Sequence, residues 1–252
     1  MKNTFWYLII ASFSLWALDE IFLFRPDFFF VSLGLALLII AYTVRALVKK
    51  GSQKFWPIYI VAPAVFYLSF SFYSAIISSH VWIQLIFLLN AWFVYSYLKN
   101  IYYHFSFSAP EREIKLRRLL ISGAFLSTFA LAANLYGLTV FLNWPFILLL
   151  ASFIILSIFI FGQFFMFQTK SSHDERLFLG LNVLILAEFA GVFFFLPLNY
   201  NVLGLLVAII FYLLLLFNEW REENRLDFKN LKWPIIITTL IFIVVLLTAR
   251  WL

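Results

Sequence analysis

The chain has 252 residues, of which 65% are hydrophobic and 12% are charged, and its formal net charge is +6. A chain with this small a share of charged side chains cannot cover the surface of a water-soluble globule of its size. The composition therefore excludes an ordinary soluble enzyme. The sequence contains no cysteine, which excludes disulfides, thiolate catalysis and cysteine-ligated metals.

Apolar runs of about 20 residues recur from end to end and predict an all-α, polytopic membrane protein. Each run is long enough to cross about 30 Å of hydrocarbon at about 1.5 Å per residue. Long runs of Leu, Ile and Phe lack the period-two alternation of barrel strands. The predicted spans are residues 5–23, 28–48, 55–78, 81–98, 118–142, 145–168, 177–197, 201–219 and 233–250. We therefore expect a single integral membrane domain over residues 1–252, with about nine spans arranged as four hairpins and a final span.

The first span follows Lys2 and resembles the apolar core of a secretory signal sequence. Residues 14–20, which read SLWALDE, lack the small-x-small pattern of a cleavage site. We therefore expect this span to be retained. Cleavage would instead leave eight spans.

Basic residues concentrate in alternate joints between the predicted spans. By the positive-inside rule, Lys2 and these joints face the cytoplasm, and only Arg25 and Arg250 lie on the other side. This pattern predicts a multi-pass protein of the cell membrane with a cytoplasmic N-terminus and anionic lipid headgroups as partners. Because the charge is spread over joints rather than gathered on one face, we expect no nucleic-acid partner. The basic joint residues are Arg45, Lys49, Lys50, Lys54, Lys99, Arg112, Lys115, Arg117, Arg118, Lys170, Arg176, Arg221, Arg225, Lys229 and Lys232.

Glu188 is the acidic residue predicted to lie near the centre of a span. An ionisable side chain at that depth costs about 2.5 to 3.5 kcal/mol by insertion scales, so it needs a reason to be there. Asp19 and Glu20 lie toward the outer end of the first span, where we expect water or Arg25 to satisfy them. Glu188 is therefore the leading candidate for proton coupling or ligand binding.

The surroundings of Glu188 in span seven resemble those of Asn134 in span five. Residues 187–191 read AEFAG and residues 133–137 read ANLYG, and in each the polar residue lies three positions before a glycine. This spacing places the two residues of each pair on one helical face. We infer that hairpins five–six and seven–eight are parallel repeats, with Asn134 and Glu188 in equivalent places facing one interior region. Chance recurrence of small residues at helix contacts is the alternative.

Three further amides lie at predicted membrane depth: Asn90 in span four, Gln163 in span six and Asn182 in span seven. The simpler interpretation is that they join helices by hydrogen bonds, and the functional one is that they hydrate a cavity beside Glu188. Pro63 in span three predicts a kink that frees a backbone carbonyl.

The sequence argues against several activities. No lysine lies inside a predicted span, which excludes a Schiff base with retinal, and the three histidines are scattered over both membrane faces. We expect no cofactor and no metal site.

Three classes of function remain. The first is a transporter-like or channel-like carrier of a small or lipidic solute. The second is a non-catalytic subunit or scaffold that binds other membrane proteins. The third is an intramembrane enzyme acting on a lipid-linked substrate, for which one carboxyl group with amides is a poor acid–base set. We expect a protein without enzymatic activity.

Overall fold

The computed structural model describes residues 2–48, 56–107, 110–166, 173–222 and 228–248. Over these ranges the chain forms nine α-helices and a short 3-10 turn at Pro26–Phe28, which confirms the all-α fold class. The helices are α1 (Lys2–Phe24), α2 (Phe29–Val48), α3 (Ile58–Ile76), α4 (His80–Phe107), α5 (Pro110–Leu142), α6 (Phe146–Met166), α7 (His173–Phe194), α8 (Tyr200–Glu222) and α9 (Phe228–Thr248).

Within the described residues, seven helical segments are long and apolar enough to cross a bilayer. They are Trp6–Phe24, Pro26–Val48, Ile58–Ile76, His80–Ser106, Ile114–Leu142, Leu177–Phe194 and Tyr200–Asn218. The apolar parts of the other two helices are shorter, Phe146–Gly162 in α6 and Ile235–Thr248 in α9. Large apolar side chains are exposed along these helices, among them Phe30, Leu38, Ile147 and Leu247. Such surfaces are compatible with a multi-pass helical membrane protein, because water would not tolerate apolar patches of this extent.

The chain divides into two compact units, Met1–Ser127 and Thr128–Leu252, and the division falls inside α5. In the first unit, α1 packs against α2 and α4, and α3 packs against the same two helices. In the second unit, α7 packs against α6 and α8, and α8 packs against α9.

Pro63 lies inside α3, where it removes one backbone hydrogen bond of the helix. A proline has no backbone N–H, so the carbonyl four residues earlier, that of Tyr59, loses its helical donor. The Tyr97 hydroxyl of α4 donates to this carbonyl at 3.0 Å, and Tyr97 is fully buried. The freed carbonyl predicted from the sequence is therefore occupied by a core hydrogen bond between α3 and α4.

Small residues bring α5 and α8 together in the second unit. Ala130, Ala133 and Ala208 are completely buried. A Cβ added at Gly204 would lie 2.8 Å from the backbone nitrogen of Ala133 and 2.9 Å from the carbonyl oxygen of Phe129. The two helix backbones therefore approach each other as closely as the glycine permits.

Candidate functional site

The first unit buries a carboxyl group inside a candidate membrane span. Asp19 lies on α1, little more than one turn before the helix ends at Phe24, and it is completely buried. Leu8, Leu15 and Phe22 are also buried and recur with Asp19 at helical spacing. Asp19 is therefore part of the inner face of α1 that packs on the rest of the unit.

Three side chains from two other helices donate hydrogen bonds to this carboxyl group. The Tyr67 hydroxyl donates to Asp19 Oδ1 at 2.6 Å, and the Ser71 hydroxyl donates to the same oxygen at 3.3 Å. Asn90 Nδ2 of α4 donates to Asp19 Oδ2 at 3.4 Å. Because Tyr67 and Ser71 are four residues apart on α3, both point from one helical face. All three partners that the structure gives to this carboxyl group are neutral.

Asp19, Tyr67, Ser71 and Asn90 form a hydrogen-bonded group that we call the Asp19 cluster. Within this cluster, the side-chain amide of Asn90 has one atom without a hydrogen-bond partner among the described residues. Its Nδ2 also lies 3.4 Å from Ser71 Oγ, while its Oδ1 is buried without a partner among the described residues. Rotating the amide by half a turn would exchange the two atoms and leave Nδ2 without a partner instead. One amide atom of Asn90 therefore remains unsatisfied in either orientation.

This arrangement suits reversible protonation of Asp19. Three donors satisfy the carboxyl group when it carries no proton. When Asp19 carries a proton, its O–H needs an acceptor, and Asn90 Oδ1 provides one after rotation of the amide. The cluster thus has two hydrogen-bonded arrangements that differ by one proton and a side-chain rotation.

The polar face of α3 continues from the cluster toward the end of the helix. Ser74 lies about one turn beyond Ser71 and is buried, and its hydroxyl donates to the Ser71 carbonyl at 2.7 Å. The hydroxyls of Tyr67, Ser71 and Ser74 therefore lie on the stretch of α3 between its middle and its end at Ile76. Because the Ser74 hydroxyl donates to a backbone carbonyl, its hydrogen bond extends the buried polar face of α3 but does not join the side chains around Asp19.

The expectation that water or Arg25 satisfies Asp19 is wrong. Arg25 is exposed, and the partners of Asp19 are Tyr67, Ser71 and Asn90. Nearness to the outer end of the predicted span suggested access to water, but side chains of α3 and α4 cover this part of α1. The helical spacing of Asp19 from Leu15 and Phe22 was the signal that could have identified it.

The four amide side chains that the sequence placed at membrane depth, those of Asn90, Asn134, Gln163 and Asn182, do not form one group in the structure. Asn90 belongs to the Asp19 cluster in the first unit. In the second unit, Asn182 is buried on α7, and its Nδ2 donates to Asn218 Oδ1 of α8 at 3.0 Å, as an interhelical link would. Asn134 is buried on α5 of the same unit. The side chain of Gln163 lies outside the described part of the chain.

Glu188 is exposed on α7, whereas Asn134 is buried. The two residues therefore do not face one interior region, which contradicts the repeat hypothesis in the form given above. Ala187 and Gly191 are buried, and a Cβ at Gly191 would lie 3.3 Å from Leu150 of α6. Residues three apart still differ by about 60° around a helix, which is enough to place Gly191 on the packed face and Glu188 outside it.

No protein-family model, no curated protein and no solved structure matches this chain.

Proposed function

We propose that the protein is a multi-pass carrier of the cell membrane that moves a small or lipidic solute and couples this movement to reversible protonation of Asp19. The observation that carries the proposal is the completely buried carboxyl group of Asp19, hydrogen-bonded by neutral side chains inside a candidate span. Ionisable residues within membrane spans are costly and mark ion pathways, substrate pathways and proton relays.

A purely structural link between helices does not need an ionisable group. The same protein joins α7 and α8 through the neutral pair Asn182 and Asn218. An asparagine at position 19 could accept from Tyr67 in the same way, without the cost of burying a group that ionises. The carboxyl group of Asp19 therefore supports proton binding more than helix packing.

A specific observation supports the alternative of a non-catalytic subunit in a membrane assembly. Glu188 is exposed near the middle of the candidate span Leu177–Phe194 of α7, among largely apolar residues, which favours contact with another chain. An intramembrane enzyme has less support, because the partners of the Asp19 carboxyl group are two hydroxyls and an amide, which make a poor acid–base set.

Proton movement by the purified protein in liposomes tests the carrier directly. The liposomes contain a pH-sensitive dye, and a potassium gradient with valinomycin sets an inside-negative potential. We expect faster internal acidification than in protein-free liposomes, and an increase when candidate solutes from a membrane extract are added. Acidification equal to that of protein-free liposomes with and without the extract would contradict the carrier and favour the subunit.

The nine-span topology with a cytoplasmic N-terminus is part of this proposal. All nine predicted spans overlap helices of the structure. Trp6, Trp82 and Trp233 are exposed near helix ends, where an indole ring suits the membrane interface. These positions agree with the distribution of basic residues along the sequence.

Single cysteines test this topology, because the natural sequence contains none. We expect a cysteine replacing Asn143 to react in intact cells with an impermeant thiol reagent, since the joint between α5 and α6 would face outward. A cysteine replacing Ser106 should react only after the cells are permeabilised. Ser52 and Ser171, two further predicted cytoplasmic positions, lie outside the described residues. Labelling at Ser106 in intact cells would contradict the orientation.

A further inference from the structure

Three contacts in the Asp19 cluster are long for hydrogen bonds. Ser71 Oγ lies 3.3 Å from Asp19 Oδ1, and Asn90 Nδ2 lies 3.4 Å from both Ser71 Oγ and Asp19 Oδ2. Hydrogen bonds to oxygen typically span about 2.5 to 3.2 Å between the two heavy atoms. The Tyr67 hydroxyl, by contrast, lies 2.6 Å from Asp19 Oδ1. Direct hydrogen bonding therefore accounts well for the Tyr67 contact and poorly for the other three.

The long contacts form a ring with the two oxygens of the carboxyl group. Around this ring, Asp19 Oδ1 is followed by Ser71 Oγ, the Asn90 amide and Asp19 Oδ2. Oxygen ligands lie about 2.3 to 2.6 Å from Ca²⁺, and Na⁺ is an ion of nearly the same radius. Two such ligands at right angles are about 3.3 to 3.7 Å apart, a range that includes all three long contacts. The ring therefore has the ligand spacing of an ion of this size.

Rotation of the Asn90 amide makes every member of the ring an oxygen. In the structure, Nδ2 faces Asp19 and Ser71, whereas Oδ1 is buried without a partner among the described residues. Half a turn of the amide puts Oδ1 in the place of Nδ2. An amide oxygen is repelled by a carboxylate unless a proton or a cation lies between them. A cation in the ring therefore favours the orientation that presents Oδ1 to it.

The charge and the size of the ring select a monovalent ion of intermediate radius. Asp19 supplies one negative charge when it is ionised, and its three partners are neutral. One positive charge neutralises this site, whereas a divalent ion would leave a net charge inside a candidate span. The oxygen ligands of Mg²⁺ would also have to be closer together, at about 2.9 Å. K⁺ is larger than Na⁺ and would need a wider ring.

We propose that the Asp19 cluster binds Na⁺, with oxygens of Asp19, Ser71 and Asn90 as its ligands. Tyr67 then holds the carboxylate in place through its short hydrogen bond. The inference deepens the proposed function and rests on it only in taking Asp19 as the group that binds and releases a cation. A proton on Asp19 and Na⁺ in the ring both require Asn90 Oδ1 to face the carboxyl group, so one excludes the other. The expectation of no metal site rested on the missing cysteines and scattered histidines, and a Na⁺ site needs neither residue type.

Binding of radioactive Na⁺ to the purified protein in detergent tests the site without any transport. We expect saturable binding to a single class of site, with strong competition by unlabelled Na⁺ and weak competition by K⁺. Thermal unfolding provides a second measurement, because an ion that binds only the folded state raises the melting temperature. NaCl should raise it more than KCl or choline chloride at the same ionic strength.

Two variants locate the ion at the cluster. Asp19→Asn should lose Na⁺ binding, although in Na⁺-free buffer it should be at least as stable as the natural protein. Ser71→Ala should lower the affinity for Na⁺ by about ten- to a hundredfold, the usual effect of removing one polar partner of a buried charge. Ser74→Ala is the matched control, because Ser74 is also buried on α3 but donates to a backbone carbonyl. It should bind Na⁺ as the natural protein does.

Three results would overturn the inference. The first is a lack of saturable Na⁺ binding by the natural protein. The second is thermal stabilisation that KCl or choline chloride reproduces, which would reveal a general effect of salt. The third is Na⁺ binding by Asp19→Asn, or by Ser71→Ala, that is as tight as binding by Ser74→Ala.

Proton uptake in Na⁺-free liposomes reports on the carrier separately. Na⁺ binding by a protein that moves no protons would contradict the proposed proton coupling and keep the Na⁺ site. Proton uptake by a protein that binds no Na⁺ would keep the carrier and remove the Na⁺ site. The two proposals therefore fail by different measurements.

Discussion

Replacing Asp19 with asparagine is expected to reduce potential-driven proton uptake to the level of protein-free liposomes. The amide has nearly the shape of the carboxyl group and can accept the hydrogen bond of Tyr67, but it cannot bind and release a proton. We expect the fold to persist with equal or higher thermal stability, since the substitution removes a buried ionisable group. Thermal unfolding in detergent and proton uptake in liposomes measure the two effects separately.

Glu20→Gln is the matched control, since it makes the same chemical change at the next residue of α1. Glu20 is only partly buried and lies outside the Asp19 cluster, so this variant should keep its proton uptake. Infrared difference spectra between acidic and alkaline buffer provide a second measurement that needs no solute. The band of a protonated carboxyl group should disappear in Asp19→Asn and persist in Glu20→Gln. Full proton uptake by Asp19→Asn would remove Asp19 from the mechanism.

A more severe change at position 19 separates hydrogen bonding from protonation. Leucine would remove both acceptor oxygens and leave the Tyr67 hydroxyl buried without its present partner. An unsatisfied buried donor costs about 1 to 3 kcal/mol. Asp19→Leu should therefore lose stability as well as proton uptake, whereas Asp19→Asn should lose proton uptake alone.

The order of helices along the chain could be predicted because lipid imposes a simple requirement. A span must present about 20 largely apolar residues, so each segment is visible in the sequence. The same criterion does not find where a helix ends outside the apolar region. α4 continues to Phe107 and α5 begins at Pro110, although the predicted spans end at 98 and begin at 118. Backbone hydrogen bonds extend a helix into polar sequence without any change in their own geometry.

The candidate site could be predicted only in part, because the sequence gives the depth of a side chain more readily than its direction. Glu188 was favoured for its central position, yet it is exposed on α7. Asp19 was judged accessible for its place near a helix end, yet it is completely buried and hydrogen-bonded by side chains of α3 and α4. Asn90 was identified as polar at membrane depth, but its contact with Asp19 joins residues 71 positions apart. The packing of the helices determines which helix faces contact each other. A single sequence contains little information about these contacts between distant residues.

Gly204→Ala is expected to lower the free energy of unfolding of the second unit by about 1 to 3 kcal/mol, the usual cost of overfilling a packed interior. The added methyl group would lie 2.8 Å from the backbone nitrogen of Ala133 and 2.9 Å from the Phe129 carbonyl oxygen. Both contacts are with backbone atoms of α5, so no side-chain rotation can relieve them, and one helix must move. Thermal unfolding of the purified protein in detergent measures the loss.

Gly34→Ala on α2 is the matched control, because a Cβ at that position would meet no atom within 4 Å. Alanine costs less backbone entropy than glycine in a helix, by about 0.5 to 1 kcal/mol, so this variant should be as stable as the natural protein or slightly more stable. Replacing glycine with alanine should therefore lower stability in α8 but not in α2, because the backbone of a neighbouring helix lies against Gly204 and not against Gly34. Equal stability of Gly204→Ala and Gly34→Ala would show that α5 and α8 do not approach as closely as this packing requires.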